Sequence, residues 1–245
     1  MTTQRISEAL VLRTWPFQEA DLLVSLFTRD HGRVKGVARH AMRSRRRFGG
    51  ALEPMTHVRA TYAEKPRQEL VRLEQFEIVS SPLAQPVDYS RTAALELVAE
   101  VLDELPEGIV DDSVFRLAVA VLEEMRVGRV WLPVTYFALW MNRLMGWMPE
   151  LGACVVCGEA LHGRAVWYSG ASDGVTCEDD RRSGSVALPA ASCVEAARIF
   201  RTPIAALAAE AWPATRAAEL RRFAVETLER HLERRLASAR ALGRS

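Results

Sequence analysis

The chain has 245 residues, 49% of them hydrophobic and 26% charged, with 32 Lys and Arg against 31 Asp and Glu for a net charge of +1. That composition belongs to a folded chain with a sizeable core, long enough for one large or two modest domains. Near-neutrality excludes a general cationic stickiness, so any positive field has to be concentrated on one surface.

No window approaches the roughly 18 to 20 apolar residues that span a bilayer, and the amino-terminal apolar run, Ala9 to Leu12, is short. The expectation is a cytoplasmic protein, neither secreted nor membrane-embedded. Four cysteines are too few for a disulfide scaffold. Their clustering after residue 150 points to metal or to burial in a reducing compartment.

The first part, to about Ser81, reads as short strands between turn signals. Ala9 to Thr14 is followed by a break at Trp15-Pro16, and Leu22 to Thr28 ends at Asp30-His31-Gly32. Arg33 to Ala38 predicts a third strand, Met55 to Tyr62 a fourth with alternation in Val58, Ala60 and Tyr62, and Leu70 to Val79 a fifth. Five antiparallel strands in so short a span suit a small closed barrel. An OB-fold is the natural candidate, with an SH3-like barrel close behind.

After Pro82 and Pro86 the pattern becomes helical. Tyr89 to Leu105 carries Ala93, Leu97, Val101 and Leu105 at helical spacing and is stopped by Pro106-Glu107-Gly108. Asp112 or Ser113 can cap a second helix ending at Gly128. Val134 to Met145 predicts a third, whose aromatics are core rather than ligand. From Gly152 to about Pro189 the sequence is irregular and holds three of the four cysteines. Ser192 to Phe200 and Ala214 to Ala241 are expected to be helical again, the latter as one long amphipathic segment.

Between Arg33 and Ala51 there is no acidic residue, while Arg33, Lys35, Arg39, Arg43, Arg45, Arg46 and Arg47 all fall there. Arginine suits phosphate because its planar guanidinium donates two parallel hydrogen bonds and stays charged. Lying between a strand and Gly49-Gly50, these residues are expected on a mobile connection beside the barrel, where they can track a nucleic-acid backbone. Five such contacts would give single-strand binding a log–log salt slope of about −3.5. Phe48 either anchors this loop to the core or offers a stacking face.

Cys154-Val155-Val156-Cys157-Gly158 has the spacing of a zinc knuckle, in which two thiolates approach one metal from a tight turn. A second half is expected about twenty residues on. Cys177-Glu178-Asp179-Asp180 supplies one thiolate and an aspartate where another belongs. Cys154, Cys157, Cys177 and Asp180 are therefore the candidate zinc ligands, the alternative being a ribbon held by its own packing. His162 and Cys193 are less well placed.

Enzymatic machinery is not visible. A zinc deaminase needs H-x-E before its P-C-x-x-C, but His31, His40 and His57 are followed at the second position by Arg33, Met42 and Arg59. No G-x-x-x-x-G-K-[ST] loop occurs, so no nucleotide cofactor is expected. Asp111-Asp112 and Asp179-Asp180 read as caps or solvated turns.

Several of these segments together resemble the RecO family of bacterial DNA repair proteins. They are Ala9 to Arg13, Phe17-Gln18-Glu19-Ala20-Asp21, Gly32-Arg33, Arg43-Ser44-Arg45 and Arg47-Phe48-Gly49-Gly50-Ala51-Leu52-Glu53-Pro54, then Leu144 to Leu151 followed by the cysteine knuckle. His40, Met42 and Asp180 depart from the family pattern.

The resemblance covers the whole length and implies an α+β protein: a five-stranded OB-fold barrel over 1–81, then an α-helical domain over 82–245 with a zinc-ribbon-like insertion at about 152–189. It further implies a non-catalytic, nucleoid-associated mediator of DNA repair and recombination. Such a protein binds single- and double-stranded DNA, anneals complementary strands, associates with RecR and contacts the acidic tail of single-strand binding protein so that RecA is loaded at gaps. Arg221, Arg222, Arg230, Arg234 and Arg235 are candidates for that tail by charge, against ordinary helical ion pairing with Glu219, Glu226, Glu229 and Glu233. An OB-fold scaffold acting mainly through protein contacts is the alternative.

Overall fold

The computed structural model describes residues 2–44, 46–82, 88–106, 108–170 and 172–243. Among these, no helix is long and apolar enough to cross a membrane. The chain forms two compact units, one of residues 1–129 with 236–245 and one of residues 130–235.

The first unit is built on five strands: β1 (Thr3–Pro16), β2 (Leu22–Thr28), β3 (Gly32–Ala38), β4 (His57–Glu64) and β5 (Val71–Ser80). They close into a barrel in the order β1-β2-β3-β5-β4, with β4 returning to β1. The β3–β5 pair is parallel and the others antiparallel. This connectivity is that of an OB-fold, not of an SH3-like barrel.

The alternation read from sequence is the barrel's inside: Val58, Ala60 and Tyr62 are all fully buried, with Ala9, Val11, Val24, Leu26, Leu73 and Phe76 around them. β1 is longer than expected and runs through Trp15 to Pro16. A proline is tolerated there because it is the strand's last residue, opposite Leu22.

Two glycines are dictated by contacts. Gly32 has φ +63°, and a Cβ there would overlap the Ile109 carbonyl oxygen. A Cβ on Gly36 would come within 2.7 Å of Val71 and 2.8 Å of Leu73, so its absence lets β3 lie against β5.

Helices α1 (Tyr89–Glu104) and α2 (Asp112–Arg126) follow the barrel in this unit. Asp88 caps α1 by accepting the Arg91 amide at 2.8 Å. Asp111 caps α2 by accepting from the Ser113 amide at 2.7 Å, so the cap falls one residue before Asp112 and two before Ser113, the residues expected to provide it. At its Ser25–Phe27 end the outer face of β2 is covered by these helices: Ser25 Oγ donates to Asp103 at 2.6 Å, and Phe27 stacks on Phe115 with centroids 6.5 Å apart.

The second unit contains α3 (Trp131–Leu144), a three-stranded sheet of β6 (Val166–Tyr168), β7 (Val175–Thr176) and β8 (Val186–Leu188), then α4 (Ala190–Ile199), α5 (Ile204–Leu207) and α6 (Ala218–His231). The stretch read as irregular thus holds the ribbon-like sheet, whose strands are too short to show a period. Asn142 of α3 donates to the Ala138 and Ala224 carbonyls, each at 2.8 Å, joining α3 to α6. Tyr168 of β6 meets Phe223 edge-on at 4.8 Å.

The single helix expected over Ala214 to Ala241 is divided. α6 stops at His231, Glu233 takes a left-handed φ of 53°, and α7 (Ala237–Leu242) belongs to the first unit. The cause is a long-range partner: the buried Glu100 carboxylate on α1 accepts the Ala237 and Ser238 amides at 3.1 Å each, and the Ser238 hydroxyl at 2.5 Å. It caps α7 from another helix.

Candidate nucleic-acid interface and metal-ligand cluster

The segment joining β3 to β4 is a tight, helical-turn-like stopper for the barrel. A 3₁₀ turn at Ala41–Arg43 is extended by Ser44 N–H to the Ala41 carbonyl, Phe48 to Ser44 and Ala51 to Phe48. Phe48 is 2% exposed and meets Phe76 edge-on at 5.5 Å, while Ala51 is equally buried. The expectation of a mobile connection is therefore corrected. Phe48 anchors the segment, and its ring has no free face for a base.

The segment is also tied sideways. Asp21, at the end of the β1–β2 connection, is buried and accepts the His40 amide at 2.7 Å. The Met42 amide donates to the Ala20 carbonyl at 3.2 Å. The motif Phe17 to Asp21 thus acts as a bracket for the basic turn, a role that no local sequence signal announces.

The candidate cations divide into two groups. Lys35, Arg39, Arg43 and Arg46 are exposed, and among the described residues none of them forms an ion pair. Arg33 is half-buried and donates to the Asp103 carbonyl. Arg47 turns back on its own loop, with Nε donating to Ser44 Oγ at 3.0 Å, Nη2 to the Arg39 carbonyl at 2.5 Å, and the guanidinium over the Phe48 ring at 5.1 Å. It braces the turn rather than projecting from it. Arg45 lies outside the described residues.

In the second unit, the arginines of the α6 region are largely engaged. Arg222 lies 4.0 Å from Glu226, Arg235 2.6 Å from Glu229 and Arg230 2.9 Å from Asp173. Arg221 donates to the Ala214 carbonyl at 2.6 Å and lies over the Trp131 ring. Arg234 too has a partner. Arg222–Glu226 is an ion pair along the helix, whereas Arg221 and Arg230 reach partners outside α6.

The cysteine knuckle is closed by Gly158 N–H to the Cys154 carbonyl at 2.9 Å, with Gly158 at φ +75°. Val155 N–H donates to the Val175 carbonyl at 2.9 Å, which brings the segment bearing Cys177 alongside. One ligand atom each from Cys154, Cys157, Cys177 and Asp180 lies within 4.8 Å of all the others. His162 and Cys193 are not members of that group.

The donor set fits a tetrahedral metal. Cys157 and Cys177 sulfurs are 3.9 Å apart, and two sulfurs bound at about 2.3 Å to one zinc lie about 3.8 Å apart. Asp180 Oδ2 is 3.2 Å from both Cys154 and Cys177 sulfurs. Burial pushes the Cys154 thiol up, but the amides of Cys157, Cys177 and Val156 outweigh it and hold it below its ordinary value. Thiol donors, Cys157 first, lower the Asp180 carboxyl, and the same bond to Asp180 pushes Cys157 up to about 12. The four residues can hold a metal ion.

A closed OB barrel with a basic turn, carried in one chain with a helical unit that bears a cysteine ribbon, defines a two-unit OB-fold protein. The family model described as Recombination protein O N terminal matches residues 1–82, and that described as Recombination protein O C terminal matches residues 86–240. The chain is 52% identical over 237 residues to the DNA repair protein RecO of Koribacter versatilis (strain Ellin345), covering 96% of this chain and 97% of the relative. It is 34% identical to the DNA repair protein RecO of Anaeromyxobacter sp. (strain K), covering 95% and 93%. A RecO protein of Bifidobacterium longum subsp. infantis is 35% identical over 181 residues, covering 71% and 72%. The chain belongs to the recombination protein O family.

Proposed function

We propose that the protein is a recombination mediator that binds single- and double-stranded DNA and anneals complementary strands without a catalytic step. With RecR and the acidic tail of single-strand binding protein, it helps load RecA at gaps. The observation that supports this is the run of exposed cations Lys35, Arg39, Arg43 and Arg46 along β3 and the segment that follows it, in a chain whose net charge is only +1.

Such a surface screens the repulsion between two phosphate backbones, after which base pairing supplies the free energy; no nucleotide is consumed. Phosphate contacts position the strand and carry little sequence preference. The proposed site is cytoplasmic, at the nucleoid. Zinc is the metal proposed for the cysteine cluster, where it would be structural: all four positions of the tetrahedron are taken by protein side chains.

The test is annealing of two complementary oligonucleotides in the absence of ATP. Acceleration by the protein is expected, lost in an Arg39→Ala/Arg43→Ala/Arg46→Ala variant. Capture of strands without annealing would turn the reading toward a scaffold, and cleavage would overturn it.

A further inference from the structure

We infer that Trp15 and Phe17 form a base-stacking platform beside the basic turn, so that the barrel holds single-stranded DNA by its bases as well as its phosphates. This rests on the phosphate-binding reading above. The strand register places Trp15 opposite Leu23, and Leu23 opposite Val37. Their neighbours Leu22, Val24 and Ala38 face the core, so Trp15, Leu23 and Val37 form an apolar row on the outer face. Two residues to either side of Val37 stand Lys35 and Arg39, both exposed. The row is therefore flanked by cations along β3.

Phe17 follows in the β1–β2 connection, fixed by its amide donating to the Asp21 carbonyl at 3.0 Å. That connection is the one bonded to the basic turn through Ala20 and Asp21. Trp15 is 36% exposed, Phe17 46% and Met42 64%. A lone exposed aromatic needs no explanation. Two exposed rings, one at the end of β1 and one on the braced connection that follows it, beside a turn that bears exposed arginines, have the composition of a stacking platform.

The charge argues for one occupant. Glu19 is the exposed carboxylate of the connection, while Asp21 is buried and occupied by the His40 amide. A duplex presents its bases already stacked, so the rings favour an unpaired strand.

The test compares binding of an oligothymidylate with that of an abasic strand of equal length, which keeps phosphates and loses bases. The wild-type protein is expected to bind the oligothymidylate about tenfold more tightly. Trp15→Ala/Phe17→Ala is expected to remove that difference while leaving abasic-strand affinity and the salt slope unchanged, and Trp15→Tyr/Phe17→Tyr to restore it. Equal wild-type affinity for the two strands, or an equal loss on both in the alanine variant, would overturn the platform and leave the phosphate reading standing. Failure of the wild-type protein to bind either strand would overturn both.

Discussion

Asp21 and His40 are joined by a 2.7 Å hydrogen bond from the His40 backbone amide to a buried carboxylate oxygen, and His40 sits in a left-handed conformation with φ 53°. The bond crosses from the β1–β2 connection to the basic turn, so the orientation of the turn depends on a side chain nineteen residues upstream. A hydrogen bond to a charged group is worth about 1.5–3 kcal/mol, and its loss leaves the His40 amide without this partner. Asp21→Ala is expected to destabilise the protein by about that amount, and Asp21→Asn by less because the amide oxygen still accepts. Urea unfolding midpoints with an unchanged m-value are the measurement.

The division of the cations sets how binding responds to salt. Each phosphate neutralised on a single strand contributes about −0.7 to the log–log slope. Arg39→Ala, Arg43→Ala and Arg46→Ala are each expected to reduce the slope by roughly that amount. Arg47→Ala is expected to leave the slope nearly unchanged and to lower stability instead, because its donors are spent on Ser44 and Arg39. Titrations of a fluorescent oligonucleotide at several salt concentrations separate the two groups.

The cap on α7 predicts a pH dependence. Burial pushes the Glu100 carboxyl up, but hydrogen bonds from Ser238 and Ala237 prevail and hold it below its ordinary value. A carboxyl depressed in the folded state contributes stability above its unfolded pKa, and that contribution is lost as pH falls through the folded pKa. Docking of α7 is thus expected to be complete at neutral pH and to loosen in acid below about pH 4. Amide exchange at Ala237 and Ser238 should accelerate in acid beyond its intrinsic pH trend, and Glu100→Gln should accelerate it already at pH 7.

The cysteine cluster makes a stoichiometric prediction. One zinc per chain is expected in protein purified without chelator, reduced to near zero by Cys154→Ser. Carboxylate is a harder and weaker structural ligand than thiolate. Asp180→Cys is therefore expected to slow removal of the metal by a competing chelator, and Asp180→Ala to hasten it.

Strand positions were legible, and where one face is buried the period of two was too: Val58, Ala60 and Tyr62 declare their side of the barrel directly. The run Ala9 to Leu12 is buried on both faces and shows no such period, and the parallel β3–β5 pair departs from the expected all-antiparallel barrel. The basic segment was legible as charge but not as shape: whether Arg47 points outward depends on the Arg39 carbonyl and the Phe48 ring. Trp15-Pro16 read as a break since proline punctuates, and the local signal cannot tell a strand's last residue from the start of a turn. The division at Glu233 was hidden for a similar reason. Leu228, Leu232 and Leu236 keep helical spacing across it, and the group that stops the helix, Glu100, is far away in sequence. The pairing of Cys154 with Cys157 was legible from spacing, because a knuckle is a local structure, whereas the approach of Cys177 and Asp180 depends on strand contacts such as the Val155–Val175 hydrogen bond.

The capping of α7 by Glu100 also bears on how the chain is made. Glu100 leaves the ribosome 137 residues before the amide it caps, and at about 5–20 residues per second that is a delay of roughly 7 to 27 s. Over that interval the Glu100 carboxylate awaits its partner while α2 and then the whole of residues 130–235 are synthesised, the latter able to fold as its own unit. The barrel unit is thus finished last although it is begun first.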